Sequence, residues 1–407
     1  MMTSFPEVLK PLAGRIVDID SHEHMPAQVW TDNFGEIAKP LAEVMMSTPP
    51  TNPNHANVQG YPGDIREITE ETLWTTKGPI SPGAVDMSRR VQVMDMMKID
   101  RQLMFPTSIG LWGTALAACP EDLPLYKRFG DQSYNYAKKL FAANNEWAVG
   151  AAKVSPRIRP VTPVYGDSPD ELISVTRRLL NEGIRAVLLV SSRLPGGVSP
   201  ADDALDPFYA MLAEANVPLT LHIGGELFFF RTSKWGDARA FQGFKVNEET
   251  SMDPWRLSVL HVAPQNFVAT MITGGVFDRH PALRMGIVEY GAHWVGPMAD
   301  MLDLWHDNNN SIGLRQFADG SVSRKLPMRP SEYLARNVRV SPFDFEPVGK
   351  YIARHRELED VYCFASDYPH VEGGKSPLKD FAESLAPLGE PVLEKFFVTN
   401  GSLLLPA

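Results

Sequence analysis

Cysteine is nearly absent: Cys119 and Cys363 are the only two in a chain of 407 residues. Two thiols exclude a disulfide framework and a four-thiolate zinc site, and they suit a reducing, cytoplasmic setting. Long apolar runs are missing too. None approaches the roughly 18 residues of a membrane span. The opening MMTSFPEVLKPLAG has no charged leader followed by an apolar stretch, so neither a signal peptide nor a membrane association is expected. Positive charge is in deficit: 39 Lys and Arg face 49 Asp and Glu, a formal net charge of -10. Binding built on phosphate contacts needs concentrated positive charge, and no basic run supplies it, so no nucleic-acid partner is expected. Internal repeats and low-complexity tracts are also absent. What is present is an ordinary globular balance, 44% apolar and 22% charged, with enough residues to bury a sizeable core.

Short β-rich runs alternate with longer helical patterns. The strand-like runs are 15–20 (RIVDID), 103–106, 148–154, 186–190 (AVLLV), 218–223 (PLTLHI), 283–289 (LRMGIVE), 338–341 and 361–366 (VYCFAS). Helical spacing marks 88–98, 126–144, 207–216, 294–305, 347–356, 378–385 and 391–398, and also 255–276 with a break expected at Pro264. Ser168 and Pro169 open one more helix as N-cap and first residue, and Gly183 closes it. Continuous apolar strands between amphipathic helices imply a parallel sheet covered on its outer face. Eight such units predict an α/β fold of the closed kind, a (β/α)8 TIM barrel, as one domain over 1–407. An open doubly wound sheet competes less well, because no Gly-rich phosphate turn follows the first strand. His22 and His24 stand there instead.

Three segments exceed a minimal barrel. Residues 25–87, dense in Pro, Asn, Gly and Thr, follow the first strand. Residues 224–253 follow the fifth and carry Phe228, Phe229, Phe230, Trp235, Phe241 and Phe244. Both insertions fall on loops at the end where barrels build their sites, and they read either as a lid and a pocket wall or as oligomer contacts. A third segment, 306–337, is mostly polar. The aromatic insertion is one reason to expect a homo-oligomer, a dimer in the simplest case.

The sharpest local signal is Asp20-Ser21-His22-Glu23-His24. Alternation along a strand points His22 and His24 one way and Glu23 the other, so the two imidazoles can grip one ion. His222 ends the fifth strand, as a core histidine or as a ligand. Asp367 follows the last strand, as a helix cap or as a ligand. Three imidazoles and a carboxylate at the ends of strands one, five and eight suit one divalent metal ion, Zn2+ first and Mn2+ second, with an open water position. His370 either orients Asp367 or is a loop residue. His261 reads as structural and His280 as a turn residue. Arg193 and Arg231 are surface residues or partners for a substrate carboxylate.

These elements together resemble the amidohydrolase superfamily, in the branch of aminocarboxymuconate-semialdehyde decarboxylase. The carriers are DSHEH, HIGG, GGVFDRHPALRMGIVEYGAHW and SDYPHVEGG, and the resemblance spans nearly the whole chain. It implies metal binding by His22, His24, His222 and Asp367. Decarboxylases of that branch carry a His-Gly pair at the end of the sixth strand; here Glu289 takes that position, and His293 lies four residues on. The expected catalytic residues are therefore Asp367, which moves the proton, and Glu289 or His293 as a second acid/base. The expected function is a metal-dependent hydrolase that uses an activated water on a small, apolar or aromatic substrate. A nonoxidative decarboxylase of an aromatic or unsaturated acid is the alternative, and a silent ligand-binding barrel is the third reading.

Overall fold

The computed structural model describes residues 5–47, 60–118, 124–224, 232–244, 253–307 and 326–406. Nine strand segments occur among them: β1 (Ile16–Asp18), β2 (His22–Glu23), β3 (Ile99–Pro106), β4 (Ile158–Pro160), β5 (Thr162–Pro163), β6 (Val187–Leu188), β7 (Leu219–His222), β8 (Met285–Val288) and β9 (Val338–Val340). Every pairing between them is parallel. β1 and β2 both lie along β3, and β3 pairs β4. From β5 the order runs β6, β7, β8, β9. β4 and β5 form one barrel position that changes partner at Val161: Val161 N–H donates to Met104 and Thr162 N–H to Ala186.

The ring closes through the last apolar run. Val340 bridges Tyr362, and Ser21 bridges Tyr368. Between these, Ile19 N–H donates to the Phe364 carbonyl at 3.2 Å, Asp367 N–H to Asp20 at 2.9 Å and His22 N–H to Tyr368 at 2.7 Å. Eight strand positions thus form the expected (β/α)8 barrel. Its wall needs continuous apolar strands because both faces are covered, and β7 and β8 are buried at every residue.

The buried carboxylate of Asp18 fastens the closing seam. Oδ1 accepts from Asp20 N–H (3.1 Å) and Ser366 N–H (2.9 Å), and Oδ2 accepts from Gln102 Nε2 (2.8 Å) and Ser366 Oγ (2.6 Å). Burial pushes this carboxyl up to about 7, against the pull of those four donors.

The third strand lies elsewhere than expected. Residues 148–152 continue the helix Ser133–Ala152, and the strand is 158–163. The helix buries Leu140, Phe141, Asn144, Ala148 and Ala151, a helical period that overrides the local apolar run. Pro160 and Pro163 hide the true strand, yet they sit where no N–H is needed, because Val161, Thr162 and Val164 make the ladder bonds. The break in 255–276 falls at 260–261 rather than at Pro264, which occupies the first turn of the helix Val262–Thr273. The helix after Ser168 is as expected: Glu171 N–H donates to Ser168 Oγ, and Gly183 takes a positive φ past its end.

Within 25–87 the described residues form short helices, Trp30–Phe34, Lys39–Ser47 and Glu70–Thr75. Trp30, Phe34 and Leu41 of the first two join Ile109, Leu140 and Phe141 in a second buried cluster beside the barrel. Of the aromatic insertion, Phe228, Phe229 and Phe230 lie outside the described residues, as do Arg231 and Cys119, and Trp235 is 67% exposed. No helix among the described residues is long and apolar enough to cross a membrane.

Candidate metal centre

Alternation along the first strand position turns Asp20 and His22 into the barrel's C-terminal mouth. β7 ends in His222, and Glu289 and Asp367 follow β8 and the last strand position. All five side chains are buried. Their ligand atoms fall into two overlapping groups, Asp20, His22, His222 and Glu289, and His22, Glu289, Asp367 and His370; within each group the atoms lie within 4.8 Å of one another. His22 Nε2 is 3.3 Å from Asp20 Oδ1, 3.4 Å from Asp367 Oδ1 and 4.0 Å from Glu289 Oε2, and His222 Nε2 is 2.8 Å from Glu289 Oε2.

These contacts are close but misaligned. Asp20 Oδ1, His22 Nε2, His222 Nε2, Glu289 Oε2 and both Asp367 oxygens are buried without a hydrogen bond of acceptable geometry. Buried polar atoms are rarely left so, because each costs about 1–3 kcal/mol. Atoms aimed at a common centre rather than at each other are what a cation requires, and two imidazoles with three carboxylates are a sound donor set. His22 Nε2 has one lone pair and belongs to both groups, so the arrangement fits one ion.

The electrostatics point the same way. Burial alone pulls the His222 imidazole down, but Glu289 and Asp20 outweigh it and push it up to about 10. Burial and the neighbouring Asp367 charge raise the Glu289 carboxyl well above its ordinary range, with His222 opposing. Asp367 is the converse: burial favours its neutral form, and His370 and His22 outweigh that and hold it well below the usual carboxylate range. The backbone is specialised here as well. Four described residues other than glycine have positive φ, and two of them are Glu289 (62°) and Asp367 (49°). Non-glycine residues are held in that region where surrounding structure fixes them, often at functional sites. Here Glu289 N–H donates to Ser341 Oγ, and Asp367 N–H to Asp20.

Neighbours orient the rings. His222 Nδ1 is 3.0 Å from the Ile223 carbonyl, so its N–H points there and Nε2 turns to the cluster; Phe105 stacks on the ring at 4.5 Å. Thr107 Oγ1 lies 2.9 Å from His22 Nδ1 and 2.9 Å from His370 Nε2, and His370 Nδ1 lies 3.1 Å from Asp367 Oδ1. Glu23 points away from His22, as alternation predicts. Its Oε1 accepts from the N–H groups of Thr107 (2.9 Å) and Ser108 (2.8 Å), and Oε2 accepts from Ser108 Oγ (2.7 Å). A cavity of about 10 Å³, the room one water needs, opens beside the cluster and is lined by Asp20, Glu289, Asp367, Asp344, Glu372 and Phe343.

Of the expected ligands, His22, His222 and Asp367 come together, and Glu289 joins them. His24 belongs to neither group; its ring stands edge-on to His370 at 5.4 Å. His293 is also outside. Its side chain is 53% exposed, 3.7 Å from Glu346 and edge-on to His261 at 4.7 Å, because the turn after Glu289 carries it outward. Arg193 packs over the Tyr134 ring and donates to the Ala117 carbonyl, and His280 pairs with Asp206. Sequence reasoning missed Asp20 as a donor, although the alternation that pairs His22 with His24 also includes it. It missed Thr107 entirely, since a strand-end threonine carries no chemical mark.

No protein of curated function matches the chain in sequence. Among solved structures, it is similar to an amidohydrolase from Mycobacterium avium subsp. paratuberculosis at 22% identity and TM-score 0.64, covering 97% of this chain and 98% of that one. It is also similar to 5-carboxyvanillate decarboxylase from Novosphingobium aromaticivorans, complexed with manganese and 4-hydroxy-3-methoxy-5-nitrobenzoic acid (18% identity, TM-score 0.58, 96% of each chain). A third is 2,6-dihydroxybenzoate decarboxylase from Rhizobium (16% identity, TM-score 0.53, 96% and 98%). These likenesses show the shared barrel. The amidohydrolase family model matches residues 133–401, more than half of the sequence, and the chain belongs to the amidohydrolase family.

Proposed function

We infer that this enzyme is a metal-dependent nonoxidative decarboxylase of a small aromatic or unsaturated acid. The observation that carries the metal dependence is the convergence of buried, unbonded donor atoms from Asp20, His22, His222, Glu289 and Asp367. Two decarboxylases among the structural neighbours support the carbon–carbon lyase reading over hydrolysis. Two carboxylates make the donor set harder than one of imidazoles alone, which favours Mn2+ over Zn2+, and the Novosphingobium neighbour was crystallised with manganese.

When bound, a divalent cation supplies a Lewis acid that holds the oxygen donors of the substrate. Asp20, His22, His222 and Glu289 would hold the cation, and Asp367, an anion at rest, would relay the proton. As the bond to the carboxylate breaks and CO2 leaves, the electron pair of that bond takes a proton that Asp367 relays from His370 and becomes the new C–H bond. His370, 3.1 Å from Asp367 Oδ1, is the source of that proton. Glu289, where the resemblance leads one to expect histidine, favours a second reading: hydrolysis, with a carboxylate as base.

The test begins with metal content by plasma mass spectrometry, for the wild type and for His22→Ala. The loaded enzyme is then offered hydroxylated benzoates while CO2 is measured. One ion per chain, lost in the variant, with CO2 release that falls at least hundredfold in Asp367→Asn, is expected. A chain that binds neither Mn2+ nor Zn2+ refutes the metal reading. Oxygen-18 from water appearing in product, without CO2, establishes the hydrolase instead.

A further inference from the structure

The geometry points to Thr107 as a positioning residue, whose hydroxyl fixes His22 in the tautomer that presents the Nε2 lone pair to the cluster. This inference rests on the metal reading above for its purpose, though not for its geometry.

Thr107 Oγ1 is equidistant, at 2.9 Å, from His22 Nδ1 and His370 Nε2. The two rings stack at 3.8 Å, which is why one hydroxyl reaches both. A hydroxyl has one proton, so it donates to one ring nitrogen and accepts from the other. With a single proton on each ring, two arrangements are possible. In the first, Thr107 donates to His22 Nδ1. His22 then carries its proton on Nε2, inside the cluster, and His370 turns a bare Nδ1 lone pair toward Asp367 Oδ1 at 3.1 Å. That sets a lone pair against an anion. In the second, Thr107 donates to His370 Nε2. His370 then holds its proton on Nδ1, facing Asp367, and His22 Nδ1–H donates to Thr107. Both Thr107 contacts of the second arrangement join a donor to an acceptor, and it sets a proton rather than a lone pair toward Asp367 Oδ1, so the charge of that carboxylate selects it. His22 Nε2 is left as a lone pair, the form a cation needs.

The hydroxyl is itself held in place. Glu23 Oε1 accepts from the backbone N–H groups of Thr107 and Ser108, and Ser108 Oγ donates to Glu23 Oε2. The strand that carries His22 therefore uses its opposite face to pin the loop that orients His22. Asp367 and His22 lie on neighbouring barrel positions at the seam, and His370 and Thr107 bridge them.

Two measurements decide it. Long-range 1H–15N spectra of the cation-free protein labelled at histidine nitrogen, taken at alkaline pH where the ring has a single proton, should show His22 Nδ1 protonated and Nε2 bare; that single proton on Nε2 overturns the proposal. Mn2+ affinity, by competition with a chelator, should fall 10–100-fold in Thr107→Val and return to within threefold of wild type in Thr107→Ser, with the melting temperature of the cation-free proteins unchanged. A valine variant that binds Mn2+ like the wild type, or a serine variant as weak as valine, also overturns it. A wild type that binds no Mn2+ defeats the metal reading alone, and the nitrogen spectra still decide the tautomer. The same spectra and the serine variant serve if the valine variant fails to fold.

Discussion

Replacing Asp18 by alanine should open the barrel at its seam. The Asp18 carboxylate accepts from four donors on three strand positions: Asp20 N–H on its own, Gln102 Nε2 on the second, and Ser366 N–H and Oγ on the last. Alanine removes all four acceptor contacts and admits no water to replace them, since the site is fully buried. Ser366 Oγ already lies 3.3 Å from the Asp20 carbonyl and can turn to it, which leaves three donors unpaired. Each costs about 1–3 kcal/mol. Relief from burying the carboxylate returns several kcal/mol of that, so the net loss should be about 3–5 kcal/mol. Asp18→Asn should cost only about 1 kcal/mol. Its Oδ1 keeps the two backbone N–H groups, and its Nδ2 is met by Gln102 once that amide flips; Gln102 Oε1 is buried without a partner at present. Urea unfolding followed by tryptophan fluorescence measures both variants. An alanine variant as stable as wild type, or an asparagine variant as damaged as alanine, would refute the idea that these hydrogen bonds hold the seam.

Gly349→Ala should be destabilised by about 1–3 kcal/mol in a thermal melt, because the new Cβ would meet the Ser384 carbonyl oxygen at 2.0 Å, a backbone atom that cannot turn aside. Asp344 gives a pH signature. Burial, with Asp380 beside it, pushes its carboxyl up to about 6 from 3.8. A raised carboxyl contributes stability that is full below about pH 3.8 and is lost as pH rises through about 6. Since the group is only partly buried, the wild type should lose about 1–2 kcal/mol relative to Asp344→Asn between pH 4 and pH 7; parallel stability profiles would dismiss the effect. Adding Mn2+ to the cation-free protein at a hundred times its Kd should raise its unfolding free energy by about 2.7 kcal/mol, and Asp20→Ala should shrink that gain when the two are compared by calorimetry.

Much of the site is legible from residue order because barrels place chemistry at strand ends. His222, Glu289 and Asp367 each stand at the end of an apolar run or directly after one, and Glu289, expected as an acid/base, falls within the cluster itself. Other features depend on neighbours in space. His24 and His22 share a strand face, but the chain leaves β2 after Glu23, and His24 then meets His370 rather than the other donors. Residues 148–152 are apolar enough for a strand, and only their packing as part of a twenty-residue helix decides otherwise. The strand at 158–163 resists recognition because two prolines mask it, and their missing donors matter only once the partner strands are known. Thr107 has no signature at all; its role exists only through two rings brought together from opposite ends of the sequence.

The closing seam has a consequence for how this enzyme is born. The donors Asp20 and His22 leave the ribosome well before Asp367 and the Ser366 group that locks to Asp18, 348 positions away. A nascent chain therefore holds Asp20 and His22 on a strand position whose outer edge stays unpaired until the strand that carries Ser366 docks. Firm capture of the ion becomes an event that reports a finished ring, and a chain stalled before residue 366 should hold metal only weakly, because nothing yet fixes Asp20 and His22 at the seam.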